Sequence, residues 1–328
     1  MYIIDLVIPC LNEAASAPSL VQELCNTLKQ TGGLYPQDEV QFGIIIVDDG
    51  SQDDTTSTFT KLLTQSDGFV RRSILRLSRN FGKEAALLAG LAHCRGHACI
   101  LLDADLQDPP ALIHEMVAAW MDGNKIVNAV RRDRSSDGIF KRFTAATFYS
   151  VFARFSHLAV KLNASDFRLL DRTAIKAILD CPERIRFSKG FFAWVGFEQT
   201  DIYFTRPVRE TGETKWGSWK LWNYALDGIF NFSTAPLRIW SYIGFTFMMI
   251  TFIYGLYVFF RVLMLGVELP GYASLFLAVT FLGGLQMLGI GIIGEYVGRI
   301  YIESKRRPHY ILREVIDLAV GCEDKDDA

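Results

Sequence analysis

The chain has 328 residues, of which 50% are hydrophobic, and it carries a formal net charge of −2 at pH 7. This length suits one large domain or two smaller ones, and the near-neutral charge gives no global electrostatic reason to expect nucleic acid as a partner. The six cysteines show no CxxC pair and no metal-binding spacing, which favours a reducing, cytoplasmic environment.

Strand-like and helical patterns alternate over roughly the first 130 residues. The predicted strands cover residues 2–9, 42–48, 73–77, 98–103 and 125–130, with helical patterns at 19–30, 53–64, 82–92 and 110–121. This alternation predicts an α/β domain whose mostly parallel sheet is covered by helices. In such sheets, ligands bind at the carboxyl ends of the strands. Polar clusters follow three predicted strands, at 9–13, 48–54 and 103–108, so we expect them to line one pocket.

The most informative acidic segment is Asp103-Ala104-Asp105, which is followed by Gln107. Two carboxylates separated by one residue can both face one hard cation, and Mg²⁺ or Mn²⁺ is commonly held by one or two carboxylates and the phosphates of a substrate. Such a cation would neutralise a departing diphosphate. The alternative is a solvated acidic turn, but the preceding run 99–102 is more apolar than a surface turn requires.

A second acidic turn, residues 48–51 (Asp-Asp-Gly-Ser), follows the second predicted strand. Ser51 is suited to cap the next helix, and Gly50 can adopt a positive φ. Helix capping does not require two successive aspartates, so we expect a carboxylate here to accept hydrogen bonds from a nucleotide base or ribose. The segment 9–13 would add a rigid proline wall and a further carboxylate acceptor.

Two later stretches, 139–162 and 215–232, combine aromatic side chains with Lys and Arg. This composition predicts helices that lie on a membrane surface, and the alternative is that the aromatic side chains fill a soluble core. The uncharged stretches 239–260 and 269–294 are each longer than the roughly 20 apolar residues that cross a bilayer as a helix. They therefore predict a transmembrane hairpin.

Basic residues flank the predicted hairpin on both sides. Lys220 and Arg238 precede it, and five basic residues between Arg299 and Arg313 follow it, against Arg261 alone in the connection between the spans. The positive-inside rule therefore places the α/β domain and both termini in the cytoplasm.

Residues 289–294 (Gly-Ile-Gly-Ile-Ile-Gly) match the GxGxxG pattern of dinucleotide-binding loops. That pattern has meaning only between a strand and a helix of a βαβ unit, and here it lies inside a predicted membrane span. Gly294 and Gly298 instead form a GxxxG arrangement, which favours close helix packing.

Seven segments together resemble one enzyme family. They lie at 7–13 (VIPCLNE), 47–51 (VDDGS), 78–84 (SRNFGKE), 103–109 (DADLQDP), 166–169 (DFRL), 212–215 (GETK) and 232–238 (FSTAPLR). They are similar to the polyprenyl-phosphate glycosyltransferases of glycosyltransferase family 2, the dolichol-phosphate mannose synthase-like enzymes. Three further segments, 219–226, 294–299 and 306–308, look most like the branch of bacterial bactoprenol glucosyltransferases.

Together with the patterns above, this resemblance predicts four parts of the chain. They are a Rossmann-like nucleotide-diphospho-sugar transferase (GT-A) domain at 1–213, an interfacial amphipathic helix region at 214–236, a two-helix transmembrane hairpin at 237–300 and a cytoplasmic tail at 301–328. The implied reaction is inverting, metal-dependent transfer of a sugar to undecaprenyl or another polyprenyl phosphate. UDP-glucose is the favoured donor, and GlcNAc, mannose and aminoarabinose donors are the alternatives.

Carried over residue by residue, the resemblance implies the following roles. Donor contacts fall on Pro9, Leu11, Glu13, Asp49, Asp103, Arg209 and Lys215, and the acceptor phosphate on Arg131 and Arg142. The catalytic carboxylates are Asp103, Asp105 and Asp166, and the metal is held by Asp105 with Asp103 and Gln107. Asp166 is either a general base or a positioning group. The chain departs from some relatives at Leu11, where they carry an aromatic residue, and at Ala146, where they carry a serine.

The resemblance also implies partners and a location. We expect a multi-pass protein of the bacterial inner membrane, a homo-oligomer with a tetramer as the candidate state, and functional pairing with a lipid-sugar flippase in lipopolysaccharide modification. One alternative is a processive polysaccharide synthase, whose known forms have more spans and a Gln-x-x-Arg-Trp motif that this sequence lacks. Another is a non-enzymatic membrane scaffold, against which the intact aspartates argue.

Overall fold

The computed structural model describes residues 1–34, 40–132, 164–181, 183, 188–205, 235–265 and 271–318. These residues belong to two compact units. One unit contains the described residues up to 205 together with those from Arg307 onward, and the other contains those between 235 and 306.

The first unit is built on a mixed sheet, which has eight strands in the described part of the chain. They are β1 (Tyr2–Cys10), β2 (Val40–Asp48), β3 (Arg71–Leu77), β4 (Ala98–Leu101), β5 (Ile126–Arg131), β6 (Ala164–Asp171), β7 (Gln199–Phe204) and β8 (Leu312–Leu318). Their order is β7-β5-β6-β4-β1-β2-β3-β8. All strands run in one direction except β6 and β8, which are antiparallel to their neighbours.

Helices cover both faces of this sheet. They are α1 (Ala17–Leu34), α2 (Thr55–Gln65), α3 (Lys83–His93), α4 (Ile113–Met121), α5 (Arg172–Leu179) and α6 (Ser188–Trp194). One apolar core joins the sheet to α1, α2 and α4, and the other joins it to α3, α5 and α6. Ile8 on β1 belongs to the first core and Val7 to the second. Because both faces are buried, the central strands are continuous apolar runs.

This arrangement confirms the α/β sheet predicted from the sequence. The five predicted strands correspond to β1 to β5, and the four helical patterns between them correspond to α1 to α4. The predicted fourth strand extended to Asp103, whereas β4 ends at Leu101. The two acidic positions of this segment, Asp103 and Asp105, therefore lie in the loop after the strand.

The last described strand, β8, was not predicted. Residues 301–328 were predicted to be a cytoplasmic tail, but β8 pairs antiparallel with β3 and forms an edge of the sheet. Ile316 and Leu318 are partly buried against the first core, and the Ser73 hydroxyl donates to Asp317 at 2.6 Å. The chain therefore returns to this sheet after its long apolar helices.

We expect β8 to stabilise the sheet through its inward-facing side chains. In the full-length chain, Ile316→Asp should lower the free energy of unfolding by about 2 kcal/mol, because a charge would replace packed apolar surface. The corresponding fall in Tm is roughly 4–8 °C. Val315→Asp is the matched control, since Val315 is exposed on the same strand. Equal thermal unfolding curves for the two variants in detergent would contradict this role for β8.

The second unit contains two long helices, α7 (Ala235–Leu265) and α8 (Tyr272–Ser304). Their windows Ile239–Tyr257 and Phe281–Ser304 have mean hydropathies of 1.5 and 1.3 and are long enough to cross a bilayer. Many of their large apolar side chains are exposed in the single chain. Two helices of this kind fit a membrane-associated protein.

A glycine in α8 permits close contact between the two apolar helices. A Cβ added at Gly289 would lie 2.2 Å from Nε1 of Trp240 in α7, so a larger residue could not occupy that position without a shift of the indole. The contact at Gly289 agrees with the expectation that small residues in this span serve helix packing, whereas a Cβ added at Gly291, Gly294 or Gly298 would meet no described atom within 4 Å outside the helix's own backbone.

Candidate active site

Polar side chains gather at the edge of the sheet where β1 to β5 end. The amino end of β6 lies at the same edge, because β6 runs antiparallel to β4 and β5. Carboxylates therefore reach this edge from the loops after β2 and β4 and from β6, at Asp49, Asp103, Asp105 and Asp166.

The loop after β4 presents its two acidic side chains differently. Asp103 is half-buried and Asp105 is exposed. Leu106 has φ 53°, in the left-handed region that non-glycine residues rarely adopt, and this turn lets the Gln107 N–H donate to Asp105 Oδ1 at 3.1 Å. One oxygen of Asp105 is thus held by the backbone.

Lys83 bridges two of the predicted catalytic carboxylates. Its Nζ lies 2.7 Å and 2.8 Å from the two carboxylate oxygens of Asp103 and 2.5 Å from Oδ2 of Asp166. Burial lowers the pKa of Lys83, but the charges of Asp166 and Asp103 outweigh this effect and raise it above its ordinary value. Lys83 therefore stays charged at neutral pH.

The electrostatics of Asp103 reflect the same cluster. Burial raises the pKa of Asp103 above its ordinary range, the Lys83 ammonium opposes that rise, and the nearby Asp166 carboxylate adds to it. A second cation beside Asp103 would favour its ionised form further.

The Asp49 carboxylate fixes the loop that leads to Lys83. Asp49 is buried, and its two oxygens accept hydrogen bonds from the backbone N–H groups of Phe81 at 2.7 Å and Gly82 at 2.9 Å. Burial raises the pKa of Asp49, and these two hydrogen bonds oppose the rise. Any contact with a donor would use the remaining lone pairs of this carboxylate.

Gly50 allows the same loop to pack directly against the end of β2. Its φ is 76°, and a Cβ there would lie 2.5 Å from the carbonyl carbon of Arg79 and 2.7 Å from the amide nitrogen of Asn80. Only glycine satisfies both the backbone angle and this close approach.

The other aspartate of the second acidic turn is structural. Asp48 is completely buried, accepts a hydrogen bond from the Ser51 N–H at 2.8 Å and another from the Thr56 hydroxyl, and lies 3.7 Å from Nε of Arg76. It therefore fixes the turn that carries Asp49, which explains why two aspartates occur in succession.

The loop after β1 is joined to the same turn. Asn12, with φ 55°, accepts at its Oδ1 from the Gln52 N–H at 2.9 Å, and its own N–H donates to the Ser51 hydroxyl at 2.9 Å. Beside it, Leu11 is 39% exposed, and the carboxylate of Glu13 accepts from the Ser16 hydroxyl at 2.6 Å. The exposed Leu11 gives this loop an apolar surface for a ligand.

Arg131, the last residue of β5, is paired with Asp108, a carboxylate of the predicted polar cluster to which the sequence assigned no role. Its guanidinium nitrogen lies 3.5 Å from Oδ1 of Asp108, whose side chain is only 5% exposed, and that of Arg131 is 33% exposed. The Asp108 Oδ1 and Arg131 Nε atoms are both buried without a hydrogen-bond partner in the described part of the chain. Asp108 therefore places a buried negative charge beside an arginine side chain that is one-third exposed.

Comparison with known proteins assigns the chain to a family. The family model "Glycosyl transferase family 2" matches residues 5–179, and the model "GtrB C-terminal hairpin" matches residues 235–300. The chain is a family 2 glycosyltransferase. Its sheet and helical layers form a GT-A domain, as the sequence predicted, and it is an enzyme of the transferase class.

Near-full-length relatives of this transferase are also known. An uncharacterised glycosyltransferase of Synechocystis sp. is 45% identical over 96% of each chain. The prophage bactoprenol glucosyl transferase homolog of Escherichia coli K12 is 43% identical over 95% of this chain and 99% of that protein. The bactoprenol glucosyl transferase of Shigella phage SfV is 44% identical over 94% and 98%, respectively. The similarity thus extends through both the sheet and the apolar helices.

The carboxylates of the transferase fit a divalent cation that binds together with a phosphate ligand. Within the described ranges, no three His, Cys, Asp or Glu side chains gather into a metal site. Asp103 and Asp105 offer two carboxylates, and the Lys83 ammonium already places a positive charge against Asp103. One or two carboxylates completed by phosphate oxygens is a common ligand set for Mg²⁺.

Most of the predicted site residues of the transferase lie at this edge. The structure brings together Asp103 and Asp166 through Lys83, and it places Pro9, Leu11, Glu13, Asp49, Asp105, Gln107 and Arg131 at the same ends of the strands. Arg142, Arg209 and Lys215, together with the predicted interfacial stretches, lie outside the described residues and stay predictions. Lys83 and Asp108 are the residues that the sequence analysis did not assign.

Proposed function

We propose that this transferase moves glucose from UDP-glucose to undecaprenyl phosphate and inverts the anomeric configuration. The observation that carries the proposal is the near-full-length similarity to bactoprenol glucosyl transferases of Shigella flexneri and its phages. The carboxylates, the ammonium group and the guanidinium group at one sheet edge supply the charges that such a reaction requires.

The acceptor supplies its own nucleophile in this mechanism. A phosphate monoester has a second pKa of about 6, so its oxygen is already largely anionic at neutral pH. This oxygen attacks the anomeric carbon as the bond from that carbon to the β-phosphate oxygen of UDP breaks, which converts an α-linked donor into a β-linked product. Catalysis then rests on positioning the acceptor and stabilising the leaving diphosphate.

The contact between Asp166 and Lys83 supports a positioning role for Asp166. Its Oδ2 atom lies 2.5 Å from the ammonium nitrogen, and an ion-paired carboxylate is a poor proton acceptor. A general base would also gain little, because the phosphate nucleophile is already ionised. We therefore assign Asp166 a positioning role in the site and not the role of a general base.

We assign the divalent cation, Mg²⁺ or Mn²⁺, to Asp105 and Asp103 with Gln107 close by. When bound, it would neutralise charge on the leaving diphosphate. Asp105 is well suited to this role because its carboxylate is exposed and the Gln107 N–H orients it. Pro9, Leu11, Glu13 and Asp49 would hold the nucleotide next to it, and Arg209 and Lys215 would contact the diphosphate.

We also propose a hairpin topology in the inner membrane, with the catalytic unit in the cytoplasm. The chain leaves that unit before α7 and rejoins it at β8, so both flanks of the apolar helices belong to one folded unit. An even number of crossings satisfies this constraint, and the basic flanks favour the cytoplasmic side. A homo-oligomer, with a tetramer as candidate, and a partner flippase complete the proposal.

A labelled-donor experiment tests the proposed activity. Purified full-length protein in mild detergent is incubated with undecaprenyl phosphate, Mg²⁺ and UDP-glucose labelled in the sugar, and the lipid is extracted into butanol. We expect label in the butanol phase that depends on both enzyme and acceptor. UDP-GlcNAc, GDP-mannose and an aminoarabinose donor are assayed in parallel.

Each other outcome selects a different function. Lipid-linked label from another donor would replace glucose while retaining the reaction class. Water-insoluble polymer without lipid-linked sugar would favour a processive synthase. No transfer from any donor, by a protein that unfolds cooperatively, would favour the scaffold and overturn the proposal.

A further inference from the structure

Lys83 connects the two acidic loops of the proposed donor site, the one that carries Asp49 and the one that carries Asp103. It is the first residue of α3 and directly follows Phe81 and Gly82, whose N–H groups hold Asp49. Its side chain reaches Asp103 and Asp166, which lie 20 and 83 positions away along the chain. The segment 81–83 thus contacts three carboxylates. They are Asp49 after β2, Asp103 after β4 and Asp166 near the start of β6.

The hydrogen-bonding capacity of this ammonium group is matched by carboxylate oxygens. A lysine ammonium has three N–H donors, and three oxygens lie within 2.8 Å of Nζ, two from Asp103 and one from Asp166. The Lys83 side chain is 41% exposed, but two carboxylates share its one nitrogen, and such a network of charges constrains a lysine more than a single exposed ion pair does. A fixed position at the centre of an acidic cluster indicates a role in the site.

A divalent cation and the Lys83 ammonium cannot share Asp103 without cost. Both oxygens of Asp103 face Nζ, so a cation that binds this carboxylate through its remaining lone pairs must approach the ammonium group closely. The two positive charges would also lie within a few ångströms of each other, where repulsion in a half-buried site is strong. Their close approach becomes favourable when diphosphate oxygens lie beside both.

We propose that Lys83 is a positioning residue with two successive sets of partners. It holds Asp103 against Asp166 before the donor binds, and it passes its hydrogen bonds to the donor diphosphate when a divalent cation takes Asp103. This assignment rests on the proposed transfer reaction, and it makes Lys83 a determinant of the order in which cation and donor bind. Cation binding without donor is weak in consequence, and cation binding with donor is strong.

The proposal predicts binding effects of opposite sign for Lys83→Met in the full-length protein. Affinity for Mn²⁺ alone should rise about tenfold, because the competing positive charge is gone. Affinity for UDP-glucose in the presence of Mn²⁺ should fall about tenfold, and transfer about 10²-fold, because the diphosphate loses an ammonium partner. Mn²⁺ binding is followed by electron paramagnetic resonance, and donor binding by calorimetry. A merely structural lysine would not strengthen one affinity and weaken the other.

Two further variants complete the test. Lys83→Arg keeps the charge, so its Mn²⁺ affinity should stay within about twofold of the wild type. Lys61→Met is the matched control, since Lys61 is exposed on α2 and outside the site, and it should change neither affinity. Lys83→Gln replaces the methionine variant if that protein fails to unfold cooperatively near the wild-type temperature.

The outcomes separate this inference from the proposed function. Unchanged or weaker Mn²⁺ binding by Lys83→Met, including the absence of measurable binding to both proteins, would overturn the role of Lys83 even if lipid-linked glucose forms. Unchanged donor binding would overturn it equally. If no donor gives lipid-linked sugar but the two affinities shift in opposite directions, the proposed reaction fails and the placement of Lys83 stands.

Discussion

Asp105→Ala is expected to lower sugar transfer by about 10³-fold while leaving the sheet folded. The side chain is exposed and makes its described contact with the Gln107 N–H, so its removal costs little packing. On the proposed assignment, the variant loses one of the two carboxylate ligands of the cation and, with it, a negative charge that balances the cation. Initial rates of butanol-extractable product measure the effect, and thermal unfolding checks the fold.

Asp105→Asn distinguishes a cation ligand from a turn-forming residue. The amide oxygen can still accept from the Gln107 N–H, so the turn is retained while the charge is lost. We expect transfer to fall nearly as far as with alanine, and we expect chelation by EDTA to abolish wild-type activity until Mg²⁺ or Mn²⁺ is restored. Asp67→Ala, at an exposed carboxylate before β3, is the matched control. Full activity in chelator would remove the cation from the mechanism.

The sequence located the acidic loops because each follows a strand of an α/β domain. The acidic loops were predicted from that rule, since strands that run in parallel end at one edge of a sheet, and the choice of Asp49 over Asp48 came from the family resemblance. The structure shows which partners each of the neighbouring residues Asp48 and Asp49 contacts. Asp48 is completely buried in the turn, whereas Asp49 holds the segment that leads to Lys83.

The residues that were missed depend on contacts between distant parts of the chain. Lys83 was quoted within the family segment 78–84, but a lysine at a helix start is usually solvated, and its partner Asp166 is 83 positions away. Asp108 was grouped with an acidic turn, although it is buried beneath Arg131. β8 was missed because its charged residues obscure the alternation of apolar and polar positions that marks a strand. Its partner β3 also precedes it by more than 230 residues.

The arginine that ends β5 is the most direct test of acceptor binding. Arg131→Lys should lower transfer by about 10- to 100-fold, raise the KM for undecaprenyl phosphate and leave the affinity for UDP-glucose nearly unchanged. Lysine keeps the charge but loses the planar fork that can hold a phosphate while one nitrogen faces Asp108. Arg142→Lys should behave similarly if the second predicted arginine serves the same phosphate. Arg132→Lys is the matched control, because Arg132 is the exposed neighbouring residue.

A variant of Asp108 tests whether acceptor binding depends on the orientation of the Arg131 guanidinium group. Asp108→Asn removes the charge that faces Arg131 without changing the size of the side chain, so we expect the same rise in acceptor KM with a smaller loss of rate. If the two residues act as a pair, the double variant Arg131→Lys/Asp108→Asn should be little worse than Arg131→Lys alone. Additive losses would mean that Asp108 acts separately. Near-native transfer by Arg131→Lys would instead show that this position requires only a positive charge, as an arginine that anchors the protein to anionic lipid does, and would remove the paired hydrogen bonds from the proposal.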